Sequence, residues 1–372
     1  MPDRDVIVAG AGPVGALLAC LLAAQGFDVL VCERHSGPDA RSRAIGIHPP
    51  GLAALDAAGV GDAVRREGLT LDGGEVQSRG RTLARVDFGR QRPVLTLAQH
   101  RTQALLAGRL AESGATVLRG AEVTGFEDRG DRVGVLIARH GTEHDITAAL
   151  LVAADGVRSR LRHAAGIGWR SRRGRARYAM ADLPGRGDDA IARVHCEPAG
   201  LVESFPLPGG ARRWVVRERA GAPLRSAAAF QAEILARLGA APAMPSNARP
   251  SRFGVSQHTA ARMVQGRLVL IGDAAHETSP IGGQGMNLGW VDALRLAEAL
   301  GTQTLHRPGA LQRFQGERLA AARVAQRRAA FYMSMGAPAT GAALSGRDAL
   351  IRLLGSPVLR GRSADLVTMR GL

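Results

Sequence analysis

Residues 5 to 34, DVIVAGAGPVGALLACLLAAQGFDVLVCER, constrain the fold of this chain more than any other stretch. Val6-Ile7-Val8-Ala9 is an apolar run of strand length. It leads into Gly10-Ala11-Gly12-Pro13-Val14-Gly15 and then an Ala- and Leu-rich helical stretch punctuated by Gly26. A second apolar run, Val29 to Cys32, closes on Glu33-Arg34. Gly10 permits a tight turn out of the strand, and Gly12 leaves no Cβ between backbone and a pyrophosphate. Gly15 lets helix and strand pack closely. The helix N-terminus offers amide donors and a positive dipole end to phosphates. Glu33, ending the second strand, is placed to accept from a ribose 2′-OH, which suits FAD or NAD rather than NADP. Strand, glycines, helix, second strand and terminal acid fall in order within one unit, and together they predict a dinucleotide site.

The length of 372 residues accommodates two packed domains. No apolar run reaches the roughly 18 to 20 residues that span a bilayer. Met1 to Asp5 carries charge straight into the first strand, which argues against a signal peptide and predicts a cytoplasmic protein. Cys20, Cys32 and Cys196 have neither CxxC nor zinc spacing, so no metal site is predicted. The formal net charge is +16, and all 49 basic residues are arginine. The densest run, RSRRGRAR at 170 to 177, has one flanking aromatic, Trp169, and no nucleic-acid fold around it. It reads as a solvated basic surface that attracts anionic partners such as NADPH, phenolates or an acidic carrier, and nucleic-acid binding is not predicted. The absence of lysine excludes Schiff-base chemistry.

After Glu33-Arg34 comes a polar loop, HSGPDARSRAIGIHPPG, with Arg43 in its middle. Residues 52 to 59 predict a short helix, 70 to 96 antiparallel strands, 99 to 113 an amphipathic helix, and ATVLRG a returning strand. Residues 121 to 148 predict a meander inserted before a separate buried strand at 150 to 156. From about 168 to 262 the texture becomes antiparallel, with strands near 192 to 195, 202 to 205 and 213 to 217. One helix, 227 to 238, lies among them, with Ser226 as its N-cap and Gly239 as its stop. Two helices follow near 286 to 300 and 309 to 335. The fold class predicted is α/β, with a Rossmann-like domain, an inserted antiparallel sheet domain and C-terminal helices. Its boundaries are 1–70, 97–167 and 263–335 for the discontinuous first domain, 71–96 and 168–262 for the second, and 336–372 for a C-terminal tail.

Two later motifs join the first. LLVAADGVRSRLR at 150 to 162 is a strand, a turn at Asp155-Gly156 and a helix start. RLVLIGDAAHETSPIGGQGMNLG at 267 to 289 is a strand ending in Gly272-Asp273, then a Pro- and Gly-rich loop entering a helix. Taken singly, either reads equally well as a strand-to-helix turn with an N-capping aspartate or as part of a nucleotide site.

With all three motifs in this order, the chain resembles the FAD-dependent aromatic hydroxylases of the single-component, para-hydroxybenzoate-hydroxylase-like class. The resemblance covers roughly residues 4 to 335. It implies that Gly10, Gly12, Pro13, Val14 and Gly15 hold the ADP half of FAD, with Glu33 on the ribose and Arg34 beside it. Asp155 and Gly156 match the motif near the pyrophosphate, implicated in FAD and NAD(P)H binding. Gly272 and Asp273 match the turn bonding the ribityl chain, and Gly283, Gly285, Met286 and Asn287 the loop and helix start facing the flavin pyrimidine. Gln99 matches a glutamine touching FAD. Arg43 matches the arginine in the loop over which the ring swings, and Pro280 restricts the loop approaching the ring. Arg43 and Pro280 are the catalytic candidates; His276 is read as structural.

The reaction implied is NAD(P)H-dependent hydroxylation of an aromatic, phenolic or polyketide-like molecule with O2, through a flavin C4a-hydroperoxide, by a monomer or homodimer. Phe205, Pro206, Trp214 and Arg217 are candidate pocket-wall residues. A flavin halogenase requires a lysine and a WxWxIP-like motif, and a disulfide reductase requires a cysteine pair; both are missing. A prenyl-reductase-like reductase or dehydrogenase remains the alternative, on a faint echo in SFPLP at 204 to 208.

Overall fold

The opening stretch forms the strand Arg4–Ala9, the helix Pro13–Ala24 and the strand Val29–Glu33. The computed structural model describes residues 1–37, 44–89, 93–185, 189–301 and 311–371. Parallel strands covered on both faces require continuous apolar runs, and Val6, Ile7, Val8 and Val31 are fully buried. Both strands belong to an eight-stranded sheet. Its main path runs Val264–Gln265, Leu268–Leu270, Thr142–Ala153, Arg4–Ala9, Val29–Glu33, Thr116–Arg119. Arg4–Ala9 pairs in parallel with both neighbours, and Thr142–Ala153 pairs in parallel with Leu268–Leu270. Register aligns Ala9 with Ala153 and Ala153 with Leu270. The three strand-to-turn motifs therefore open side by side at the carboxyl edge of one sheet, where α/β folds bind ligands.

A second eight-stranded sheet runs His276–Glu277, Ser251–Ala260, Trp169–Pro184, Ala211–Arg217, Gly200–Pro206, Ile191–Glu197, Gly73–Ser78, Arg81–Asp87. Successive side chains point to opposite faces, so this sheet has two different surfaces. On one, Ala179, Val202 and Val216 pack against Phe230 and Ile234 of the helix Ala227–Leu238. Ser226 Oγ accepts from the Ala229 amide at 3.2 Å, and Gly239 ends the helix in the left-handed region, as the sequence predicts. The other surface walls the site.

Three elements differ from expectation, and the arginine run keeps to it. Thr142–Ala153 is one 12-residue strand, not a meander strand followed by a separate buried one. Its outer part pairs with the strand Val133–Arg139 and its inner part with Arg4–Ala9, so the outer end is exposed on both faces and the inner end is continuously buried. The second helix spans Pro49–Ala57, starting earlier than read, because prolines are tolerated in a first turn whose amides need no partner. The arginine run lies within the strand Trp169–Pro184, where Arg170 and Arg177 are exposed. The segment taken as a tail holds two helices, Gly341–Leu354 and Arg360–Val367. Among the described residues no helix is long and apolar enough to cross a membrane, and no acidic, His or Cys cluster has metal-binding geometry.

Candidate active site

Two helix starts converge here. Pro13–Ala24 begins after Gly12, and Gln284–Ala299 begins after Gly283. Neither has a side-chain cap or an acid in its first turn, so orphan amides and positive dipole ends stand ready for an anion. Gly10 has φ +106°, and an added Cβ would stand 2.5 Å from the Ala154 carbonyl oxygen. At Gly15 the corresponding distance is 2.0 Å to Gly10 O, so this glycine permits helix–strand contact. At Gly12 nothing lies within 4 Å. That position faces open space, as a phosphate cradle requires.

Hydrogen bonds then lock the motifs together. Glu33 Oε2 accepts from the Ala11 amide and Oε1 from the His35 amide, both at 2.8 Å. Each carboxylate oxygen keeps a further lone pair for a ribose hydroxyl. Gln99 Oε1 accepts from the Ala44 amide at 3.1 Å, which ties the segment after the Arg43 loop to the helix Gln99–Glu112. Asn287 is fully buried and uses its amide internally. It accepts from the His48 amide at 2.9 Å and donates to Gly46 O at 3.0 Å and Gly283 O at 2.8 Å. Trp290 Nε1 donates to Pro13 O at 3.1 Å, joining the two helices whose starts converge.

Beneath the Gly272-Asp273 turn lies a buried ionic cluster. Asp292 accepts from the Gly272 amide at 3.0 Å and from Arg318 Nε at 2.7 Å, and its other contact is His276 Nε2 at 2.5 Å. Burial alone would raise the Asp292 carboxyl, but the charges and hydrogen bonds of His276 and Arg318 hold it below its ordinary value. His276 thus serves the turn from below. Arg162 donates to Ala274 O and Val157 O, each at 2.9 Å, and so braces the second motif against the third. Asp155 Oδ2 accepts from the Leu161 amide at 3.4 Å, and burial raises its carboxyl.

These elements border one cavity of about 1320 Å³. Of the predicted residues, Gly12, Pro13, Val14, Gln99, Gly156, Asp273, Pro280, Gly283, Gly285 and Met286 line it. Gly10, Gly15, Glu33, Arg34, Asp155, Gly272 and Asn287 do not; Arg34 is exposed and Gly272 packs on Val14. Arg43 lies outside the described residues. Phe205 lines the cavity, whereas Pro206, Trp214 and Arg217 do not. Trp214 faces the helix Ala227–Leu238, and Arg217 donates to the carbonyls of Met333 and Gly336.

The opposite side of the cavity is mostly apolar, with Glu203 and Arg213 of the sheet and Arg327 and Arg328 of a helix among its lining. Met180, Val194 and Val215 come from the sheet, and Phe331, Tyr332 and Met335 from the helix Gln312–Met335. Ile351, Leu354, Leu366 and Val367 of the last two helices close it. Sequence reasoning passed over Asp292, Arg318, the closing helices and Glu203. Only Glu203 carried a signal, because it shares the strand face of Phe205 at period two.

The residues present fit a flavin dinucleotide. The space at Gly12 is open, both helix starts are uncapped, and His48 Nδ1 and Thr278 Oγ1 on the wall are buried without a partner among the described residues. Burial pushes the His48 imidazole down to about 4, leaving it neutral. Fold and site together define a dinucleotide-binding flavoprotein whose two large sheets border a shared cavity. More narrowly, the chain belongs to the family described as FAD binding domain, which matches residues 3–329.

The chain is 33% identical over 314 residues to a 12-dehydrotetracycline 5-monooxygenase/anhydrotetracycline 6-monooxygenase of Streptomyces rimosus. The match covers 80% of this chain and 62% of the relative, so the chain spans about three fifths of that protein's length. Among solved structures, the anhydrotetracycline hydroxylase of Streptomyces rimosus superposes with a TM-score of 0.82 at 30% identity, covering 99% of this chain and 76% of that one. The p-nitrophenol 4-monooxygenase of Pseudomonas putida shares the fold, with a TM-score of 0.86 at 24% identity and 99% coverage of both chains.

Proposed function

We propose that the protein is an FAD- and NAD(P)H-dependent monooxygenase that inserts one atom of O2 into an aromatic, phenolic or polyketide-like small molecule. The observation that carries this reading is one continuous cavity, with Gly12 to Val14, Asp273 and Gly283 at one end and a mostly apolar sheet face at the other. Drug-sized ligands occupy roughly 300–1,000 Å³, so about 1320 Å³ suits a substrate beside the ring end of a dinucleotide. The tetracycline-type relatives support a polyketide-like ring system.

When bound, FAD supplies hydride acceptance from NAD(P)H and activation of dioxygen, which no side chain of this chain provides. The amides opening Pro13–Ala24 are assigned to the phosphates, and those opening Gln284–Ala299 to negative charge at the ring end. Glu33 is assigned to the adenosine ribose, Asp273 to the ribityl chain, and Asp155 and Gly156 to the pyrophosphate side. Gln99 and Asn287 hold the backbone from 44 to 48 against that end. Pro280 stiffens the loop on the cavity wall. Arg43, by resemblance alone, governs ring movement. The sheet and the closing helices exclude water.

The test is purification, release and mass identification of the flavin, then NAD(P)H oxidation with a panel of phenolic ring systems under labelled dioxygen. The expected product carries one labelled oxygen atom. A reduced or dehydrogenated product without label would establish the reductase alternative, and a colourless protein that takes up no FAD would defeat both.

A further inference from the structure

The cavity-facing surface of the second sheet has one central row, set by register. Ser251 pairs with Met180, Met180 with Val215, and Val215 with Glu203. Glu203 pairs with Val194, Val194 with Val76, and Val76 with Ala84. All seven line the cavity. Glu203 is the one ionisable side chain in that row, with Val215 and Val194 beside it and Leu201 and Phe205 above and below on its own strand.

Structural carboxylates elsewhere in this sheet are satisfied. Asp182 accepts from Arg213 Nε at 2.6 Å and Nη2 at 2.7 Å. Glu218 accepts from Arg252 at 2.5 and 3.0 Å and from the Leu224 amide at 2.8 Å. Glu203 is only 4% exposed yet makes no hydrogen bond or ion pair with any described residue. A buried polar group without a partner costs stability. A buried carboxyl that has no hydrogen-bond partner in its own fold and borders the cavity points to a ligand group.

We propose that Glu203 is a substrate-contacting residue that reads a ring hydroxyl. The molecule in the apolar end of the cavity presents an O–H group to this carboxyl, and Glu203 sets the preference for hydroxylated over O-alkylated rings. This deepens the monooxygenase reading and rests on it for the aromatic character of the ligand. Burial pushes the Glu203 carboxyl up to about 8, so near neutral pH it both donates and accepts, matching a hydroxyl that does the same. A site built to pair a hydroxyl discriminates against the analogue lacking it because its own polar group is then left unpaired.

The test compares calorimetric binding of two probes to the FAD-loaded enzyme: a dihydroxyanthraquinone and its dimethyl ether, the same ring system without O–H groups. Wild type is expected to favour the hydroxylated probe by about tenfold or more. Glu203→Leu should erase that preference by weakening the hydroxylated probe while leaving or tightening the ether. Glu203→Gln, which keeps a donor and an acceptor, should retain most of it. Flavin content and thermal unfolding of each variant show that the fold stands.

Equal affinity of wild type for both probes, no binding of either, or a preference retained in Glu203→Leu would overturn the inference. The underlying reading fails separately, through a wild type that holds no FAD or inserts no labelled oxygen. If oxygen insertion stands while Glu203→Leu keeps the hydroxyl preference, the Glu203 assignment alone falls.

Discussion

Asp292 accepts a hydrogen bond from Arg318 Nε at 2.7 Å with both side chains almost wholly buried, 26 residues apart in the chain. The same carboxylate receives the Gly272 amide. One side chain thus joins the helix Gln284–Ala299, the helix Gln312–Met335 and the turn assigned to the ribityl chain. Asp292→Ala leaves a buried guanidinium unpaired. We expect destabilisation of about 3–5 kcal/mol, read by denaturant unfolding, with loss of FAD retention. Because the folded carboxyl is held below its ordinary value, its contribution is present above the unfolded value of about 3.9 and is lost as pH falls through the folded one. The gap between wild type and variant should therefore narrow in acid. A gap unchanged with pH would count against the cluster.

Gly12 and Gly15 make a matched pair. A Cβ at Gly12 meets nothing within 4 Å, whereas one at Gly15 would stand 2.0 Å from Gly10 O. Gly12→Ala should leave apoprotein stability within about 0.5 kcal/mol while weakening FAD binding. Gly15→Ala should cost about 1–3 kcal/mol in the apoprotein itself. Thermal unfolding without flavin, followed by flavin titration, separates the two. Undiminished FAD affinity in Gly12→Ala would remove the phosphate-cradle assignment.

Glu33→Ala strips the acceptor from the Ala11 and His35 amides and removes the carboxylate assigned to the adenosine ribose. FAD affinity should fall by about 1–3 kcal/mol, the cost of polar groups left unpaired. Titration of the apoprotein with FAD and with FMN, which lacks the adenosine half, checks this. The loss should appear with FAD and not with FMN.

Glu203 gives a stability prediction of opposite pH sign to Asp292. Burial pushes its carboxyl up to about 8 from the ordinary value of 4.5, so the folded state holds the proton more tightly. Wild-type stability therefore declines as pH rises between those two values. The Tyr178 phenol and the Cys196 thiol, which interact with it electrostatically, are each pushed up to about 12 by burial and stay neutral throughout that window. Glu203→Leu should melt higher than wild type, by a margin that grows from pH 5 to pH 8. A margin that shrinks over that range would show that Glu203 is paired in solution.

The opening strand–helix–strand unit was legible because its constraints are local. Glycines at 10, 12 and 15 encode contacts between a turn and the helix it starts, and continuous apolar runs encode burial on both faces. The same holds for the Gly272-Asp273 turn and for the helix from Ala227, whose cap and stop adjoin it in sequence. Composition likewise argued against lysine chemistry, and the order of three motifs pointed to a family that matches residues 3–329.

Tertiary structure alone decided which face of each strand looks into the cavity. Phe205 and Trp214 read alike in sequence, yet register turns one to the cavity and the other to a helix. It also decided that Asn287 spends its amide on a segment 239 residues away, and that the last two helices close the cavity. Period and propensity describe a segment's own neighbours, whereas pairing register and long-range docking arise only when distant apolar faces are buried together.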